Sequence, residues 1–184
     1  MNKVEEDLLE NLMRVNFIFK NEDLYAECIK DYEGFSLIGE KFGPFERGKK
    51  YKLKLFEALP FIENNILTVA PNAKCDNIDV QRYAINERDE SRLIPEKDFF
   101  LNKLKEFKRF MEKDVKDGTK PRNFLDNYNS YLSDIIDSRL LKLLKLSKSE
   151  LSLDDERRLT DPEKLLWNHF NHLIKTWKNF FFNI

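Results

Sequence analysis

The side chains whose type and spacing best suit chemistry are His169 and His172, three residues apart near the end of the sequence. On a helix this spacing brings two imidazoles to neighbouring positions, where both can bind one metal ion. No third histidine, cysteine or carboxylate cluster supports them, and Glu163 lies six residues before His169. We therefore interpret the pair as structural or solvated, and expect no metal and no cofactor.

Other catalytic patterns are equally poorly represented. The five glycines do not form a GxxxxGK or GxGxxG phosphate loop, and no serine stands in a nucleophile elbow. A Ser/His/Asp triad assembled from distant residues stays open at this level. Cys28 and Cys75 belong to no motif, which is typical of a protein in a reducing cytoplasm. The sequence therefore predicts a protein that is not an enzyme.

A run of basic residues between positions 103 and 109 raises the question of nucleic-acid binding. Lys103, Lys105, Lys108 and Arg109 alternate with apolar residues and one glutamate. Such a face can contact phosphates, but it is more typical of a solvated helix face. Because the formal net charge of the chain is −1, no global positive field attracts it to DNA. We expect any DNA contact to be weak or indirect.

Composition limits the class of protein. With 184 residues, 41% hydrophobic and 35% charged, the chain is long enough for one ordinary domain or two small ones. The first residues, MNKVEEDLLENLMRVNF, carry acids where a secretory signal needs an apolar run. No stretch reaches the ~18 to 20 apolar residues of a membrane span. The expectation is a soluble cytoplasmic protein without membrane contact.

The pattern of elements changes near residue 90 and predicts an α+β protein, with a small N-terminal β-rich domain before a larger helical bundle. Short strand-like runs and turns occupy residues 26–39, 51–55 and 66–69. Residues 1–25 form an N-terminal extension, with a short helix suggested by Leu8, Leu9 and Leu12. The predicted small β domain spans 26–75, a polar connector 76–95, and the helical bundle 96–184.

Three helical periods follow residue 95. Phe100, Leu104, Phe107 and Met111 define one helix face, which Gly118 and Pro121 terminate. The next helix carries two apolar stripes: one comprises Phe124, Tyr128, Tyr131 and Ile135, and the other Leu132, Ile136, Leu140 and Leu143. Together they cover more than the ~100° face that a single packing layer needs. This helix is therefore either central in its own bundle or partly covered by another protein.

Arg139 lies on the first of these stripes, four residues after Ile135. No acidic side chain three or four residues away on the same helix can neutralise it, and Asp137 points elsewhere. If Arg139 is buried, it needs a carboxylate from another helix or subunit, because an unpaired buried charge is costly. The alternative is that its stem extends past the stripe to water. We predict that Arg139 is substantially buried and paired with a carboxylate from another helix or from a partner subunit.

The last helix begins at a predicted capping box, Thr160-Asp161-Pro162-Glu163. It carries Trp167, Trp177 and the run Phe180-Phe181-Phe182. This many aromatic side chains indicate either packing onto the bundle or a surface covered by a partner.

The segment GPFERGKKYKLKLFEALPFIENNILTVAP, which begins at Gly43, resembles a motif of GINS subunits, a family of the replicative helicase assembly in archaea and eukaryotes. The family motif runs from Gly-Pro-Phe and a second glycine through a charged strand to an apolar helix and a closing strand. The positions that match it are Gly43, Pro44, Phe45, Gly48, Leu55 and Ala58. Lys54, Phe56 and Glu57 depart from it, and Pro60 predicts a shortened or displaced helix.

Three later segments also resemble the family, in its order. They are the connector with Glu87-Arg88, the stretch DIIDSRLLKLL from Asp134 to Leu144, and LTDPEKLLW before the last helix. Because the β domain precedes the helices, the chain is similar to eukaryotic GINS subunits two and three and to their archaeal relative. The departures favour an archaeal protein.

The resemblance implies a non-catalytic scaffold subunit of the GINS complex, which supports the MCM helicase in the replisome during DNA replication. The implied partners are a second GINS subunit of the helix-first type, with two copies of each, then the MCM helicase and a RecJ-like factor. The alternatives are an unrelated helical adaptor or regulator and a nucleic-acid-binding protein. The predicted subunit-interface residues are Tyr128, Leu132, Ile135, Ile136, Arg139, Leu140, Trp167, Phe170, Leu173, Trp177 and Phe181.

Overall fold

The computed structural model describes residues 3–37 and 39–182. It has the predicted α+β class, with a small strand-containing region before a larger helical one. The chain divides into two compact units: residues 17–74, called the β unit, and residues 1–16 with 75–184, called the helical unit. Ile38, within the predicted strand region 26–39, and the ends of the predicted first and last segments lie outside the described residues.

The elements follow each other in the order α1 (Lys3–Lys20), β1 (Asp23–Cys28), β2 (Phe35–Leu37), β3 (Glu40–Phe42), β4 (Lys50–Lys54), α2 (Leu55–Glu63), β5 (Leu67–Val69), a 3-10 turn (Pro71–Ala73), α3 (Asn77–Asp89), α4 (Phe100–Lys116), α5 (Arg122–Leu146), α6 (Leu153–Glu156) and α7 (Asp161–Phe182). The N-terminal extension is thus a long helix, and the first strand begins earlier than position 26.

The β unit is built on an antiparallel sheet with strand order β4-β1-β5. Strand β1 alternates between solvent and core, and its inward side chains are Leu24, Ala26 and Cys28. Helix α2 covers the sheet with Leu55, Ala58, Phe61 and Ile62, all buried. A second, two-stranded sheet pairs Phe35 of β2 with Phe42 of β3.

Pro60 does not end α2, which continues to Glu63. Pro60 is the sixth residue of the helix, so its missing N–H removes the bond to the carbonyl of Phe56. The buried face on both sides of Pro60 keeps the helix on the sheet despite that loss.

Two glycines approach each other closely where β3 leads away from the small sheet. Gly34 has φ +88°, and a Cβ there would lie 2.2 Å from the carbonyl oxygen of Phe42. Gly43 has φ +94°, and its Cβ would lie 2.8 Å from the Cα of Gly34. No side chain other than hydrogen fits at this crossing.

We expect Gly34→Ala to destabilise the β unit more than Gly48→Ala does. Both glycines have positive φ, which costs an alanine about 1–2 kcal/mol, but the space around Gly48 is open to 4 Å. The difference therefore reports the clash with the Phe42 carbonyl. Urea unfolding followed by circular dichroism measures it, and equal losses for the two variants would contradict the prediction.

The helix face that sequence periodicity predicted to be buried on α4 is part of the core of the helical unit. Phe100, Leu104, Phe107 and Met111 are all buried, which confirms that face. On α5 the stripe from Phe124 turns inward at Tyr128, and the Tyr128 hydroxyl donates to the carbonyl of Leu104 at 2.8 Å. Helix α5 is therefore central within its own chain.

The segment 76–95, predicted as a polar connector, is largely helical and belongs to the helical unit. It contains α3, capped by Asp76, whose carboxylate accepts from the N–H groups of Ile78 and Asp79. Val80 and Ala84 are buried, and α3 packs along α5. Val80 and Ala84 are the buried apolar residues of this helix, and most of its other residues are polar. This composition is why the segment resembled a linker.

Candidate functional site

His169 and His172 lie in different surroundings on α7. His169 Nε2 lies 3.6 Å from Asp7 Oδ2, and His172 is exposed. Across residues 3–37 and 39–182, no group of three or more His, Cys, Asp or Glu is arranged to hold a metal.

The cysteines are buried and free. Burial raises the pKa of the Cys75 thiol to about 11, so it is protonated and weakly nucleophilic at neutral pH. Cys28 Sγ donates to the carbonyl of Lys30 at 3.1 Å. Both thiols therefore behave as packing groups.

The basic face of α4 is partly neutralised along its own helix. Arg109 lies 3.2 Å from Glu106, and Lys108 lies 3.8 Å from Glu112. The Glu106 carboxylate is buried and Arg109 is half exposed, whereas the Lys108–Glu112 pair is exposed, and exposed pairs contribute little stability. Two of the four basic side chains of this face are thus paired with carboxylates of α4, and Lys103 Nζ lies 5.3 Å from the ring centroid of Phe107.

Arg139 is the most densely connected charge in the helical unit, and the prediction that it is buried and paired is confirmed. Its side chain is 2% exposed. The guanidinium donates to Glu163 through Nε at 2.6 Å and Nη2 at 2.8 Å, a bidentate pair. Nη1 donates to Glu87 at 2.8 Å.

The remaining donors of Arg139 are also satisfied. Nη1 contacts the carbonyl of Ile94 at 3.0 Å, and Nη2 contacts the carbonyl of Arg158 at 3.2 Å. The single side chain thereby joins α5 to α3, to α7 and to the two connections before α4 and α7. This explains how a charge on an apolar stripe is accommodated.

Each carboxylate in the network is held by a second partner. Glu163 is the acid of the predicted capping box, and it accepts from both the N–H and the hydroxyl of Thr160 at 2.8 Å. Glu87 accepts from Lys142 Nζ at 2.6 Å. Lys142 Nζ also donates to the backbone carbonyl of Glu87.

The electrostatics of the network keep the Arg139 guanidinium charged. Burial by itself lowers the pKa of Arg139, but the hydrogen bonds and negative charges of Glu163 and Glu87 outweigh burial and raise it above its ordinary value. Half-buried Glu96 has a raised pKa, chiefly because of burial, with Glu87 and Glu163 adding to the effect and Arg139 opposing it. The arrangement pairs buried opposite charges from three helices.

Sequence reasoning required a carboxylate from another helix but did not identify Glu87 or Glu163. Asp137 is not the partner, as predicted, and its carboxylate instead accepts from the hydroxyl of Ser133. The available clue was Glu163 in the capping box, because an N3 acid lies at the buried entrance of its helix.

The predicted interface residues separate into three groups in the structure. Tyr128, Ile135 and Arg139 are buried within their own chain, which corrects their assignment, because they offer no surface for a second subunit. The second group is half-buried: Leu132, Leu140, Trp167 and Phe170. Ile136, Leu173, Trp177 and Phe181 are exposed and remain available to a partner.

The second half of α7 carries a continuous apolar surface that we call the aromatic end, made of Leu173, Trp177, Phe180, Phe181 and Phe182. Trp177 is 65% exposed and Phe180 is 77% exposed. The Trp177 and Phe181 rings lie 4.9 Å apart, and the Phe180 and Phe181 rings lie 5.1 Å apart. At ~150–250 Å² per aromatic side chain, the four rings leave on the order of 500 Å² of apolar surface in water.

That area is at the upper end of what a monomer normally leaves uncovered. Two lysines, Lys175 and Lys178, lie in the same part of α7. The sequence from His172 to Phe182 contains no acidic residue. An apolar centre with a polar rim is the usual anatomy of a protein–protein contact. The aromatic end is therefore our candidate interface.

The residues of the GINS-like motif are placed in the β unit as turn and core positions. Gly43 and Gly48 have positive φ at turns. Phe45 is buried against Phe61, with ring centroids 4.9 Å apart, and Leu55 and Ala58 are buried on α2. These positions account for packing and turn geometry, not for chemistry.

No protein-family model matches the chain, and no curated protein matches it by sequence. The resemblance to GINS subunits therefore stays a prediction from the sequence motifs. In the part of the chain that the structure describes, no helix has the length and apolar character needed to cross a membrane.

Proposed function

We propose that the chain is a non-catalytic scaffold subunit of a GINS-like complex that supports the MCM helicase in DNA replication. The single observation that carries the proposal is the aromatic end of α7, where Trp177 and Phe180 to Phe182 are uncovered. Such a surface is costly in water and is stabilised when a partner covers it. The ordered GINS-like motifs supply the identity of that partner.

The proposed assembly contains this chain and a helix-first GINS subunit, two copies of each, in contact with MCM and with a RecJ-like factor in the cytoplasm. A scaffold role agrees with the chemistry of the described side chains. The thiols are buried, the histidines belong to no group of three or more potential metal ligands among the described residues, and the buried charges of the Arg139 network are paired with each other. Any contact with DNA in this proposal is indirect or weak.

Affinity purification of the tagged chain from its source cells tests the proposal. We expect MCM and a helix-first GINS chain to be recovered with it, and co-expression with that second chain to give a stable hetero-oligomer. Light scattering should then report a mass above that of this chain alone. A soluble monomer that ignores the helix-first subunit would overturn the proposal, and tight salt-sensitive DNA binding by the isolated chain would favour a nucleic-acid-binding function instead.

A further inference from the structure

The β unit contains an open groove that neither its fold nor the proposed scaffold role uses. Its volume is about 440 Å³, and it lies between the β2–β3 hairpin and α2. Its apolar and aromatic lining residues are Tyr32, Phe35, Phe42, Phe56, Pro60, Phe61 and Ile66. Phe35 is 43% exposed and Phe56 is 49% exposed, so aromatic surface on both walls faces water.

The rings are arranged as a continuous platform. Phe35 stacks on Phe42 with centroids 5.3 Å apart, and it contacts Phe61 at 6.1 Å. Tyr32 meets the same Phe61 ring at 5.9 Å, edge to face. A fixed row of rings accepts flat or ring-shaped apolar groups placed one after another along the groove.

The groove has few polar groups to offer a bound backbone. The Asn64 amide donates to the carbonyl of Pro60 at 2.8 Å, and one Glu57 oxygen accepts from the N–H of Lys54 at 2.8 Å. An ordinary extended peptide buried here would leave backbone N–H groups without partners, at a cost in free energy. Proline has no N–H, and a polyproline II segment is already extended before it binds. Aromatic-lined grooves bind such segments for these reasons.

The charge of the groove further limits which kind of peptide segment can bind there. Glu57 is the one charged side chain that lines it among the described residues. Helix α2, one of its walls, carries Glu57 and Glu63 but no lysine or arginine. A basic residue beside the prolines therefore complements this wall, whereas an acidic one is repelled.

We propose that this groove is a binding site for an extended, proline-rich segment of a partner protein, with a basic residue of that segment placed against Glu57. The rings of Phe35, Phe56 and Phe61 hold the prolines, and Glu57 sets the orientation. The groove belongs to the β unit and the aromatic end of α7 belongs to the helical unit, so each surface can be tested by itself.

Binding of synthetic peptides to the full chain, measured by titration calorimetry and by amide chemical shifts, tests the proposal. The probes are a peptide of repeated Leu-Pro-Pro units that ends in arginine, the same peptide ending in glutamate, and a proline-free amphipathic helical peptide. We expect the arginine peptide to bind best and to shift amides of β2, β3 and α2. Tighter binding of the helical peptide, equal binding of all probes, or no binding by the folded chain would overturn the proposal.

Two variants and a matched control sharpen the test. Phe56→Ala should lower the affinity of the chain for the arginine peptide by about tenfold or more, because the variant removes a ring that lines the groove. Tyr25→Ala, which removes an equally exposed ring on β1 outside the groove, should leave binding unchanged. If Phe56→Ala does not fold by circular dichroism, Phe35→Ala takes its place.

Glu57→Gln tests the role of charge separately from that of shape. Glutamine still accepts the N–H of Lys54 at the start of α2, so the helix start is kept. The variant should bind the arginine and glutamate peptides with similar affinity while still binding both. An unchanged preference for arginine would show that Glu57 does not read the basic residue, and would overturn that part of the proposal.

Discussion

Arg139→Ala is expected to destabilise the helical unit by about 3–5 kcal/mol, because it leaves the carboxylates of Glu163 and Glu87 buried without their main cation. Lys142 still contacts Glu87, so the uncompensated charge falls mainly on Glu163. The carbonyls of Ile94 and Arg158 also lose a donor. Chemical denaturation at neutral pH measures the loss as a lower midpoint.

Three further variants separate the possible causes of that loss. Arg139→Lys should recover only part of the stability, because an ammonium cannot form the bidentate pair with Glu163. Arg139→Met restores most of the buried stem without the charge, so it should remain strongly destabilised if pairing matters more than packing. Arg82→Ala is the matched control: its pair with Asp79 at 3.1 Å is exposed, and its loss should cost at most about 1 kcal/mol. A curve for Arg139→Ala that overlays the parent would contradict the prediction.

The double variant Trp177→Ser with Phe181→Ser is expected to abolish assembly with the helix-first subunit. Anchors at the centre of an interface typically contribute about 2 kcal/mol or more each, and about 1.4 kcal/mol changes affinity tenfold. Because both side chains are more than half exposed, their removal should change the unfolding free energy of the isolated chain little. Co-purification and light scattering report the assembly.

Leu153→Ser is the control for this experiment. Leu153 is 75% exposed on α6, outside the aromatic end, so its substitution should leave assembly intact. If the double variant assembles like the parent, then the aromatic end is not the contact surface. Loss of assembly in both variants would point to a general effect on solubility instead.

Local sequence patterns predicted several features of the helical unit. The spacing of Phe100, Leu104, Phe107 and Met111 predicted the buried face of α4, since a helix can bury such a stripe on one side only. The capping box at Thr160 likewise predicted the start of α7, because its bonds join residues three apart. Arg139 was identified as a buried and paired charge from its position on an apolar stripe.

Other features depended on contacts between residues distant in sequence. The buried face of α3 consists of few residues, such as Val80 and Ala84, and a polar segment becomes a packed helix only because α5 is there to receive it. The same holds for Tyr128 and Ile135, whose apolar stripe fits an internal core and a subunit interface equally well. Periodicity identifies a face, but it does not say which surface covers that face.

By itself, the sequence determined the α+β class, the faces of the main helices, the cap of α7 and the need of Arg139 for a carboxylate. These follow from periods and bonds within a few residues of each other. Only the tertiary structure decided that Glu163 and Glu87 are the partners of Arg139 and that α3 joins the helical unit. It also decided that the rings of the β unit leave an open groove. Each of these features depends on contacts between residues that are distant in sequence. Such contacts are determined by the packing of a whole unit and cannot be read from a local sequence pattern.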